Sequence, residues 1–195
     1  MSPRAFVALV GSGFRRWSSY KQATFAAAFT NSAFGFLKCY VLLAVVHAQH
    51  RVGGYDAEQL VTYVWLGQGL LGVVTLWGWT ELSDRVKSGD VAIDLLRPTD
   101  PLPAYYAADL GRAGHAALTR LIIPLCVGAV AFGLYVPHRP QTVGVLLVSI
   151  VAAVSISFAV RYLVNLTAFW VLDARGFIAA WMVCGNIATG LMVPL

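Results

Sequence analysis

Residues 142–161 read TVGVLLVSIVAAVSISFAVR, an unbroken apolar run that meets its first charge only at Arg161. Twenty residues of this kind have the length needed to cross a ~30 Å hydrocarbon layer as a helix. Four further stretches share the character, at 24–47, 60–79, 116–136 and 176–195. The runs are continuous rather than ~10-residue alternating segments, so helices are expected and not a β-barrel. If residues 162–172 continue the fourth run, that helix measures about 31 residues, roughly 46 Å, and must tilt or project from the membrane.

Charge placement supports the same reading. The nine acidic residues Asp56, Glu58, Glu81, Asp84, Asp90, Asp94, Asp100, Asp109 and Asp173 all fall between these stretches, as a bilayer intolerant of carboxylates requires. With 58% hydrophobic and 12% charged residues, the chain lacks the ~25% charged content of an ordinary soluble domain. The expected fold is all-α, a polytopic transmembrane helical bundle formed by residues 1–195 as a single domain.

Cations set the orientation. Arg4, Arg15, Arg16 and Lys21 precede the first run, Arg85, Lys87, Arg97 and Arg112 lie between the second and third, and Arg175 precedes the fifth. The alternate connections hold only Arg51 and Arg139. The positive-inside rule then places the N-terminus in the cytoplasm. The net charge of +5 is therefore a topology signal. Its dispersal between runs excludes a nucleic-acid-binding stripe. Three cations enter the runs, Lys38, Arg120 and Arg161, and each is read as snorkelling toward an interface.

Several chemistries are excluded. No GxxxxGK[ST] loop and no Gly-Lys pair occurs, so this chain cannot cradle ATP in the usual way. GxSxG is absent as well. Cys39, Cys126 and Cys184 sit inside apolar runs as packing residues, and His47, His50, His115 and His138 lack ligand spacing. No catalytic, metal or cofactor-binding residue is expected. With no carboxylate inside a run, an ion-driven secondary carrier is disfavoured.

Two runs carry a polar side. Thr24, Ala28, Asn31, Gly35 and Lys38 recur at spacings of 4, 3, 4 and 3 on one helical face, while Phe25, Phe29, Phe36 and Tyr40 form an aromatic face turned to lipid. In the second run Gly67, Gln68, Gly69, Gly72 and Thr75 suit close helix packing. Pro124 predicts a kink in the third. Residues 1–23 form an amphipathic lead-in at the membrane interface, with Phe6, Val7, Val10, Phe14 and Trp17 on its apolar side.

The connection 80–115 is the most informative. Ser83 and Asp84 start a short helix and Gly89 breaks it, after which Val91, Ile93, Leu95 and Leu96 form an apolar patch ended by Pro98 and Pro101. Such a patch among Asp90, Asp94 and Arg97 suits docking to a soluble partner. A helix lying flat on the membrane fits it equally.

The order of these elements resembles the membrane subunit of a type-2 ABC exporter. SGDVAIDLLRPTDPLPAYYAADLGR (88–112), NLTAFWVLDARG (165–176) and GLMVPL (190–195) resemble a bacterial branch related to viologen and drug exporters. The resemblance implies an interfacial helix over 3–21 and a cytosolic coupling helix within 84–96. That helix would contact a separate ABC ATPase subunit through Asp84, Val91, Ile93, Leu95, Leu96 and Arg97. It implies no ATPase chemistry and no cofactor in this chain, with ATP and Mg held by the partner. A second permease chain, in a homo- or heterodimer, would complete the pathway. Six spans are usual in that branch, so five visible spans imply either a missing C-terminal sixth or an unusual member. The first, second and fifth spans would form the dimer seam and pathway, with Asn31, Lys38, Gln68 and Asn186 as lining candidates. The implied location is the bacterial cytoplasmic membrane. Two other readings remain: a membrane-embedded scaffold that recruits a cytosolic protein, and a secondary carrier.

Overall fold

A computed structural model describes residues 1–49, 54–75, 78–137, 139–171 and 173–188, with the side chains of 47–49 and 186–188 also outside the description. The described residues are mostly helical and contain no extended strand. In chain order they form α1 (Pro3–Ser18), α2 (Lys21–Gln49), α3 (Ala57–Val73), α4 (Glu81–Ser88), α5 (Val91–Leu96), α6 (Pro101–Ala116), α7 (Ile123–Phe132), α8 (Pro140–Leu166) and α9 (Arg175–Ala188).

Among the described residues, three helices are long and apolar enough to cross a membrane: Lys21–Val46, Pro101–Phe132 and Pro140–Phe169. The expected second and fifth spans correspond to the shorter α3, of 17 residues, and α9, of 14. The third differs most from expectation. Its helix starts at Pro101, not near 116, because Asp100 caps it by accepting from Leu102 N at 3.0 Å and Pro101 fits the first turn. At 32 residues it is roughly 48 Å long, so one end must extend beyond the ~30 Å hydrocarbon.

A π-helical turn, Ala117–Ile122, joins α6 to α7 immediately before Pro124. Proline cannot donate to the Arg120 carbonyl four residues back, and the Asn31 side-chain amide approaches that oxygen at 3.5 Å. The widened turn and this contact from α2 accommodate the expected kink.

Packing follows the small residues. A Cβ added at Gly72 would meet the Arg120 side chain at 2.5 Å, so the glycine lets α3 and the π turn touch. Beside that contact Val73, Ala113, Ala116, Leu121 and Val154 form one apolar core, and Cys39, Val61 and Trp65 form another. The expected division of α2 is largely observed. Ala28 and Gly35 are buried, while Phe25, Phe29 and Tyr40 face outward. Phe36 departs from it, turning inward to Trp65 and Phe132 with ring centroids 5.3 and 5.5 Å away.

The lead-in is helical from Pro3 and packs across α6. The two backbones approach so closely that a Cβ on Gly111 would lie 2.1 Å from Val10 O. Phe14 meets His115 edge-on at 5.5 Å.

Candidate coupling surface and polar interior

The polypeptide between α3 and α6 folds into two short helices with a left-handed residue between them. Gly89 at φ +83° ends α4, a conformation costly for other residues, and α5 begins two residues later. The Arg85 guanidinium of α4 then grips Asp94 of α5, with Nη2 donating to Oδ1 at 2.9 Å. This hydrogen bond raises the Arg85 pKa further above its ordinary value. Arg97 Nη1 adds a 3.7 Å ion pair to Asp94, and Tyr105 Oη of α6 donates to the same carboxylate at 3.4 Å.

With Asp94 occupied in this way, the apolar residues of α5 point out. Ile93, Leu95 and Leu96 are 55, 62 and 85% exposed, and Val91 is half-buried. Asp84 is exposed and accepts from Thr80 Oγ1 at 2.8 Å. The structure thus brings the six coupling candidates onto one two-helix unit. Arg16 of α1 reaches Glu81 at 3.0 Å, and a groove of about 800 Å³ separates α1 from this unit.

The unit is tied to the bundle by groups the sequence reading did not single out. Asn165 of α8 accepts from Ser83 N at 3.1 Å and donates to Trp79 O at 2.9 Å and to Arg161 O at 2.8 Å. The Trp79 ring stacks on Tyr162 and meets Tyr105 edge-on.

One turn before Asn165, Arg161 is buried, with 3% of its side chain exposed, and its Nη2 lies 2.8 Å from Asp109 Oδ2. It does not snorkel. Asp109 also accepts from Arg112 Nε at 2.7 Å. Arg112 continues to Thr75 Oγ1 at 2.8 Å and Val73 O at 3.1 Å, and Ser157 Oγ donates to Thr75 O. Two guanidinium groups around one carboxylate therefore join the end of α3 to α6 and α8. Asp109 lies in the N-terminal third of the Pro101–Phe132 helix and not in a loop.

The signal was present in two spacings: Asp109 and Arg112 three apart, and Ser157, Arg161 and Asn165 four apart on one helical face.

Of the pathway candidates, Lys38 and Gln68 meet, with Lys38 Nζ donating to Gln68 Oε1 at 2.9 Å. Asn31 is engaged by the Arg120 carbonyl instead. The Asn186 side chain lies outside the described residues.

Long apolar helices joined by a buried ion cluster, with a charged two-helix unit displaying leucines at one end, are the features of a multi-pass membrane protein. The chain belongs to the family described as ABC-2 family transporter protein, whose profile matches residues 30–195. It is a permease of an ABC transporter, and the family implies an ABC ATPase as partner. No match is found among curated proteins or among solved structures.

Proposed function

We propose that this permease is half of an ATP-driven exporter of the bacterial cytoplasmic membrane, with its N-terminus in the cytoplasm. The α4–α5 unit receives a separate ATPase subunit, which holds ATP and Mg, and a second permease chain completes the pathway. Five crossings are counted in this reading, α3 and α9 among them. Closure of the ATPases on ATP would push α5, and the Arg85–Asp94 and Asn165 contacts would carry the displacement into α6 and α8. Lys38 and Gln68, between α2 and α3, are the polar lining that moves.

The observation that carries the reading is the outward display of Ile93, Leu95 and Leu96 on a unit whose charged residues are engaged beneath it. Largely exposed leucines on a six-residue helix contribute little to folding where they stand, and suit a partner's apolar pocket. Replacing Leu95 and Leu96 by Asp should abolish co-purification with the ATPase and ATP-dependent efflux, while membrane insertion is unchanged. Undiminished efflux would remove the coupling assignment.

A further inference from the structure

A second concavity, of about 650 Å³, lies between α2 and the α6–α7 helix. Its walls include Ala28, Phe36, Ile123 and Val127. The two helices run in the same direction along it. Phe14, before α2, meets His115; Asn31 reaches Arg120 O; and Phe36 meets Phe132 at the far end. From Lys21 to Phe36 the cleft follows α2 for roughly 22 Å, more than the ~15 Å depth of one leaflet's hydrocarbon.

Cations occupy one end only. Lys21 lines the mouth beside Ser18 and is exposed, with no acceptor among the described residues. Arg15, in the last turn of α1, is likewise unpaired among them, whereas Arg16 is engaged by Glu81. Trp17 and Tyr20, 43 and 65% exposed, flank the same mouth in sequence, the aromatic type that settles at headgroup depth. Lys38, the next cation along α2, turns away to Gln68. Ser32, on the wall, has its hydroxyl bonded to Ala28 O at 2.9 Å, so that donor is already used.

Apolar walls with unpaired cations at one end only match the layout of a phospholipid, a charged headgroup on a hydrocarbon tail, and the groove is wide enough for a chain ~4–5 Å across, judged from carbon contact distances. We propose that the cleft binds one acyl chain of an anionic phospholipid, whose phosphate is held at Lys21 with Arg15 nearby. The site rests on the membrane placement of the chain and not on the coupling role of α5.

The test is native mass spectrometry of the full chain, purified in mild detergent and titrated with phosphatidylglycerol or phosphatidylcholine. The native protein should retain one phosphatidylglycerol in preference to phosphatidylcholine. Lys21→Gln should reduce that preference about fivefold without changing thermal stability, since Lys21 contacts no acceptor among the described residues. Ile123→Trp, placed on the half-exposed wall, should reduce retention of both lipids. An unchanged preference in Lys21→Gln, equal retention in Ile123→Trp, or a cross-linked dimer through cysteines placed at Ser32 would each overturn the proposal. Efflux and ATPase binding are separate readouts, so loss of the coupling assignment leaves this result interpretable.

Discussion

Removing the Asp109 carboxylate should destabilise the bundle more than removing either of its guanidinium partners. Asp109, Arg112 and Arg161 have side chains 7, 11 and 3% exposed, and together carry one net positive charge. Asp109→Ala leaves two buried cations facing each other without a counter-charge. Breaking a buried pair in this way costs ~3–5 kcal/mol. At ~2–4 °C per kcal/mol for a chain of this size, the melting midpoint should fall by roughly 6–20 °C. Arg161→Met instead leaves Asp109 paired with Arg112 in a neutral unit. It forfeits charge-assisted hydrogen bonds of at most ~3 kcal/mol and relieves the burial of one guanidinium. Arg112 keeps its bonds to Thr75 Oγ1 and Val73 O in either variant. Thermal unfolding of detergent-solubilised protein, followed by the loss of a monodisperse chromatographic peak, compares the two. An Arg161→Met variant as unstable as Asp109→Ala, or an Asp109→Ala variant within ~1 kcal/mol of the native protein, would refute the buried-triad account.

Two further outcomes follow from local geometry. Gly111→Ala places a methyl against Val10 O and Phe14 N, backbone atoms that cannot swing aside, so α1 should loosen at a cost of about 1–3 kcal/mol. Trypsin should then cut at Arg15 and Arg16 faster, while Gly11→Ala, which meets nothing within 4 Å, should not accelerate cutting. The Asp173 carboxyl is held down to about 2 by the side-chain hydrogen bond from Arg175, reinforced by its backbone N–H. Its folded value lies below the ordinary ~3.9, so its contribution is present above that value and lost as pH falls through about 2. Asp173→Asn should therefore flatten part of the stability change between pH 4 and 2. Parallel curves for the two proteins would count against the pairing.

Much of the architecture could be read from side-chain type because bilayer and helix chemistry act locally. Pro98, Pro101 and Gly89 delimited α4 and α5, though not the start of α6, and Gly69 and Gly72 marked the face of α3 that touches the π turn. What escaped depended on compensation between distant residues. Asp109 was sorted to a connection by its charge alone, but two arginines, one of them on α8, make it acceptable inside the protein. Arg161 was read as reaching for the interface for the same reason: its partner lies fifty-two positions away. Asn31 was taken for pathway lining, yet Pro124 deprives the Arg120 carbonyl of a donor and the Asn31 amide approaches it. Lys38 and Gln68 did meet: Gln68 is buried on α3, and the long Lys38 side chain reaches it from an exposed position on α2.

The central claim is that α4 and α5 face the cytoplasm, where an ATPase can reach them. Ser88 is exposed at the end of α4, so Ser88→Cys can be labelled with an impermeant maleimide against the native chain as background. Labelling in opened membranes but not in intact cells is the predicted result. Labelling from outside intact cells would contradict the topology, and the coupling role with it.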